Sequence, residues 1–223
     1  MILFRDEPGR RGFSLIELLA AVALIAILSL LIVGGVNQAV EMSRATQCAG
    51  NLRQLANAFL LYAQDHNGSL PQVYRIGASG HWYYNENFVS MLGFTQDDVW
   101  RGRVGAYLCP SDTNGNRNIS VDGNTRFLSY GANINMGAGE AGDTDSPHYR
   151  AAPMPRMTAP SKLLMLADAD NFFFNVGGVN LVPRHRGGIN LVFADGHGEW
   201  RKPPLEDNPG DDPWLWWPNG TPQ

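Results

Sequence analysis

The sequence predicts an α+β fold: a long N-terminal α-helix packed on a small antiparallel β-sheet head with long loops. Three observations carry this. An almost unbroken apolar run fills residues 13–36. An amphipathic helical pattern follows it to about residue 67. Beyond residue 68 short β-type segments alternate with turn residues, and no βαβ alternation appears.

The apolar run, FSLIELLAAVALIAILSLLIVGGV, would span about 36 Å as a helix, enough to cross a hydrocarbon core of roughly 30 Å. It is apolar on every side, so lipid or other helices must surround it. Arg5, Arg10 and Arg11 precede it, which predicts a cytoplasmic N-terminus and an exported remainder. An ordinary secretory signal fits poorly, because the run exceeds the usual apolar stretch of about 7–15 residues and ends in no A-x-A-like site. Glu17 stands alone within it as a carboxylate, at a cost in lipid on the order of 3 kcal/mol. A free α-amino group at Phe13, made by cutting after Gly12, would give that carboxylate a partner.

In the amphipathic half, Cys48, Leu52, Leu55, Ala56, Phe59, Leu60 and Ala63 recur at helical steps, with Arg44, Asn51, Arg53, Gln54 and Asn57 on other faces. Gly68 and Pro71 predict a stop near residue 65, for a helix of about 80 Å overall. Gly34–Gly35 reads either as a bend or as a site of close helix packing. In the head, Asn87–Leu92 reads as a short helix. Phe127–Tyr130, Leu163–Ala167, Ile189–Phe193 and His197–Arg201 read as strands, the last two joined at the turn Ala194-Asp195-Gly196. Gly/Asn/Asp-rich loops fill 111–124 and 135–147.

Composition narrows function by exclusion. A net charge of -4, with no basic cluster beyond the three N-terminal arginines, argues against nucleic acid. No nucleophile motif accompanies His185, Asp195, His197 or Asp168, so no enzyme is predicted. His185 is expected to bond Asp195 or the turn at Gly196 and so lock the last hairpin. Asp168, Asp170, Asn171 and Asp195 offer hard oxygen ligands for calcium, but without EF-hand spacing; the other reading is that they cap turns. Cys48 and Cys109 are either one bridge in an oxidising compartment or two buried thiols in a reducing one. The segment 211–218 holds Trp214, Trp216 and Trp217, either as a binding surface or as a flap over the head.

The stretch RRGFSLIELLAAVALIAIL resembles the N-terminal signal of type IV pilins and type II secretion pseudopilins. The resemblance implies cleavage after Gly12 by a prepilin peptidase, N-methylation of Phe13, and Glu17 as the assembly carboxylate. Where that family often carries a proline, this chain has Gly34. Further along, QCAGNLRQLANAF, LCPSD, SYGAN and His185 followed after nine residues by Asp195-Gly196 resemble pilin-like proteins with an H-x9-DG element, often grouped with G-like pseudopilins. The implied organisation is a leader at 1–12, a transmembrane and assembly half-helix at 13–36, an amphipathic half at 37–67, and a periplasmic or extracellular head at 68–223. The implied partners are like subunits in a helical filament, the prepilin peptidase, an inner-membrane assembly platform and, before assembly, membrane lipid. A single-pass inner-membrane location follows. The competing function is a membrane-anchored module that recognises a glycan or a partner through its head.

Overall fold

The computed structural model describes residues 12–73, 81–112, 127–136, 157–175, 178 and 180–205, with backbone alone at 31–34. The expected tryptophan-rich segment, residues 1–11 of the expected leader and the interiors of both long loops lie outside these residues. The chain divides into two compact units, Met1–Met42 and Ser43–Gln223. Helix α1, Leu15–Asp65, belongs to both.

In the first unit α1 is apolar and exposed. Leu15, Leu24 and Leu30 remain 79%, 62% and 78% accessible. Among the described residues α1 is the one helix long and apolar enough to cross a membrane.

In the second unit α1 turns one stripe inward. Cys48, Leu52, Leu55, Ala56, Phe59 and Ala63 are buried, as their spacing predicts, and Ala58 joins them. Leu60 is only half-buried. The helix ends in a Schellman arrangement: Gly68 N donates to Ala63 O at 2.7 Å, with Asn67 and Gly68 both at positive φ. Two short helices follow. Helix α2, Glu86–Met91, is capped by Asn85, whose side chain accepts from Phe88 N at 3.1 Å. Helix α3, Gln96–Trp100, has a full capping box between Thr95 and Asp98. The T-x-x-D spacing of that box was the available signal for α3, which the hydrophobic pattern had not suggested.

Five strands form one sheet in the order β3-β1-β2-β4-β5: β1 Tyr130–Asn133, β2 Leu164–Asp168, β3 Phe173–Phe174, β4 Ile189–Phe193 and β5 Gly198–Arg201. All neighbours are antiparallel except β1 and β3, which are parallel, so the sheet is mixed. Strand β1 begins later than the sequence suggested. Ser129 N is drawn to Tyr107 O at 2.8 Å, and pairing with β2 starts only at Tyr130, opposite Asp168. Strands β1, β2 and β4 are buried throughout, whereas β5 is mostly exposed at the edge.

Between α1 and the sheet, Phe59, Trp82, Phe88, Tyr83, Tyr107 and Phe172 pack edge-on or tilted, with ring centroids 4.9–5.9 Å apart. Their polar atoms find backbone acceptors: Trp82 Nε1 donates to Phe172 O at 2.7 Å, and Tyr107 Oη to Tyr83 O at 2.9 Å.

Candidate functional site

Two places carry the chemistry that the sequence singled out. The first is the start of α1. Gly12, Phe13 and Ser14 precede the helix in non-helical, exposed backbone. Phe13 is 89% accessible. Ser14 is the N-cap, since its carbonyl accepts from Leu18 N at 3.2 Å. Glu17 lies three residues on and reaches back, its Oε2 accepting from Ser14 N at 2.9 Å. The carboxylate thus answers an orphan amide at the N-terminal end of the helix. Any α-amino group created at Phe13 would arise next to this same carboxylate.

The second place lies in the head, where three of the sequence signatures and the histidine of the fourth meet. Cys48, from QCAGN on α1, is bonded to Cys109, from LCPSD, with 2.11 Å between sulfurs and 5.0 Å between Cα atoms. Asn51 binds the same loop, donating from Nδ2 to Leu108 O at 2.7 Å. From SYGAN, Tyr130 Oη donates to Cys48 O at 3.3 Å, and Asn133 Nδ2 donates to Leu164 O at 2.8 Å. Gly131 is needed for space: a Cβ there would sit 2.8 Å from Asn171 O and 2.9 Å from Ala169 Cβ.

Arg184 anchors the same node. It donates to Ser129 O and Ala169 O, each at 2.8 Å, and pairs with Asp112 at 3.2 Å with both side chains almost fully buried. Ser129 Oγ donates to the same carboxylate at 2.8 Å. Burial pushes the Tyr130 phenol far above its usual range, with the Asp168 charge adding to the effect. The phenol therefore stays a neutral donor.

His185 lies beside the disulfide. Its Nε2 is 3.4 Å from Cys109 Sγ and 3.4 Å from Asp168 Oδ2. Both neighbours can only accept, so Nε2 carries the proton. Asp168 Oδ2 also accepts from Asn190 N at 2.7 Å. Asp195 is elsewhere, in the β4–β5 turn, where Oδ1 meets His197 N at 3.1 Å and His197 Nδ1 at 2.5 Å. The geometry therefore pairs His185 with Asp168, and Asp195 with His197. Tying β5 to the His185 segment falls to Trp200, whose Nε1 donates to His185 O at 2.9 Å. Gly196, with φ 88°, completes the turn in a conformation that suits glycine.

The oxygen ligands suggested for calcium do not gather. Asp168 faces the core, Asn171 Oδ1 accepts from Phe172 N at 2.8 Å, and Asp195 serves the hairpin. Among the described residues the one group of three ligand atoms from His, Cys, Asp or Glu lying within 4.8 Å of one another is Cys48, Cys109 and His185. Arg184, Asn51 and Asp112 were not singled out by sequence reasoning, although Asn51 and Asp112 stand inside the quoted signatures. Arg184 adjoins His185, and that adjacency was its only signal.

Compared with known families, residues 8–33 match the prokaryotic N-terminal methylation motif. The match covers the basic residues Arg10 and Arg11, Gly12, Phe13, Glu17 and most of the apolar run, and it marks a type IV pilin-like N-terminus. Such a motif at the head of an apolar helix suits a single-pass inner-membrane anchor. No curated protein and no solved structure matches the chain.

Proposed function

We propose that the chain is a filament subunit of the pilin and pseudopilin kind, of the sort that builds type IV pili or type II secretion pseudopili. A prepilin peptidase cuts between Gly12 and Phe13 and methylates the new terminus. The mature protein then waits in the inner membrane with its head exported. An assembly platform moves α1 out of lipid and into a bundle of sister helices, where Glu17 meets the N-terminus of a neighbour. The observation that carries this reading is an all-round apolar, exposed helix headed by one carboxylate, inside the matched methylation motif. No soluble fold would leave such a helix uncovered.

Mass spectrometry of the protein from native membranes is the test. The expected N-terminal peptide begins at N-methylated Phe13. A membrane-extracted chain that begins at Met1, in cells with an active peptidase, would refute the proposal.

A further inference from the structure

A structural disulfide requires two cysteines and nothing more. Here it is accompanied by a histidine and an aspartate, both buried, at a cost in desolvated polar atoms. His185 Nδ1 and Asp168 Oδ1 are each buried with no hydrogen-bond partner among the described residues. Leaving such atoms unpaired is costly, and the sulfur–sulfur bond does nothing to relieve it. His185 turns Nε2 toward Cys109 Sγ, and Asp168 Oδ2 lies 3.4 Å from that same nitrogen.

We propose that Cys48, Cys109, His185 and Asp168 form a latent site for one zinc-class divalent cation, opened by reduction of the disulfide. Two thiolates, one imidazole and one carboxylate are a donor set that zinc takes in tetrahedral geometry. With ordinary bond lengths, the nitrogen–sulfur and nitrogen–oxygen edges of such a tetrahedron are roughly 3.4–3.6 Å. The protein already holds both: Nε2 is 3.4 Å from Cys109 Sγ and 3.4 Å from Asp168 Oδ2. The donors come from α1, the loop before Pro110, β2 and the segment before β4, so a bound cation would join the elements the disulfide now joins.

The chemistry balances with a dithiol as reductant. Its two thiols give two electrons and two protons to the Cys48–Cys109 bond, leaving two protein thiols and a cyclic disulfide of the reductant. Cation binding then displaces both thiol protons. The Nε2 proton of His185 relocates to Nδ1, freeing the Nε2 lone pair. Asp168 enters through Oδ2, the oxygen 3.4 Å from Nε2, which accepts from Asn190 N with its other lone pair.

Cobalt(II) is the probe, because tetrahedral thiolate coordination gives it intense visible bands and a near-ultraviolet sulfur-to-metal band. The full chain in detergent is reduced with a dithiol, freed of it without oxygen, and titrated. The expected result is saturation at one equivalent, bleaching by zinc, and no bands from oxidised protein. His185→Ala should weaken cobalt binding at least about tenfold and Asp168→Asn less, while Cys48→Ser should remove the sulfur-to-metal band arising from that ligand. A reduced, folded chain without these bands overturns the proposal, as do bands that persist unchanged in His185→Ala. Should reduction unfold the head, as judged by near-ultraviolet circular dichroism, zinc must restore the fold, and failure to do so is equally fatal.

Discussion

Leu30 and Leu52 are the same side chain on the same helix, yet 78% of one is accessible and 1% of the other. The first belongs to a stretch apolar on every face, the second to a stretch with a single apolar stripe. A stripe can be covered from one side by a sheet and an aromatic cluster, and in the head it is. A helix apolar all round needs neighbours on all sides, which a head of this size does not supply. The two halves of α1 therefore differ in what covers them: protein core for residues 43–65, and, on the proposed function, lipid or sister helices for residues 15–42. Polar groups follow the same division. Among the described residues Glu17 bonds its own helix terminus, whereas the buried polar atoms of the head form a network drawn from five segments.

This contrast can be broken from either side, and the largest effect should come from the first half. Glu17→Ala removes the one carboxylate whose burial in lipid costs on the order of 3 kcal/mol. Membrane insertion should be unimpaired or improved, while filament assembly is lost. Electron microscopy of sheared filaments alongside membrane fractionation reads both, and normal filaments from this variant would contradict the assembly role.

On the head side, Arg184→Met should be the most damaging single change. It strands the buried Asp112 carboxylate and withdraws donors from Ser129 O and Ala169 O. Breaking a buried pair from one side costs about 3–5 kcal/mol. The double variant Arg184→Met with Asp112→Leu should recover part of this loss, since no charge is then left alone. Urea denaturation of the detergent-solubilised chain measures both.

Opening the disulfide should come next. The cross-link closes a loop with a sequence separation of 61, and chain entropy assigns such a loop about 4 kcal/mol. With chelator present, so that no cation replaces the bond, the double variant Cys48→Ser with Cys109→Ser should lower head stability by up to that amount. A loss below about 1 kcal/mol would mean that Asn51 and Tyr130 already fix α1 on the head.

What could be read from the sequence follows from how local each signal is. The 3.6-residue stripe in α1, its stop at Asn67-Gly68 and the β4–β5 hairpin around Asp195-Gly196 depend on neighbours within a few residues, and the structure places them close to where the pattern does. The central node depends on chain segments up to about 140 residues apart. Nothing local could say that His185 would meet Asp168 rather than Asp195, because strand order decides it: β2 lies beside β4, and the start of β4 brings Asn190 onto the Asp168 carboxylate. Strand β3 escaped for a similar reason. It is only Phe173–Phe174, paired parallel to β1, and two residues carry no periodicity.

The smallest expected effect tests the turn that sequence did locate. Asp195 is pushed up by burial, but the hydrogen bonds from His197 N and its ring outweigh that and hold the carboxyl below its ordinary value of 3.8. A depressed folded pKa means that the unfolded chain binds the proton more readily. The carboxylate's contribution is therefore complete above about pH 4 and is lost as the pH falls through the folded value. The pair is partly exposed, so the whole effect should stay under about 1 kcal/mol after solvent screening. Asp195→Asn should leave the fold and the β4–β5 hairpin intact, and it should flatten that portion of the acid limb when thermal midpoints are compared with the parent chain between pH 3 and pH 6. An acid limb that is unchanged in Asp195→Asn would show that the exposed turn is not the pH-sensitive contact.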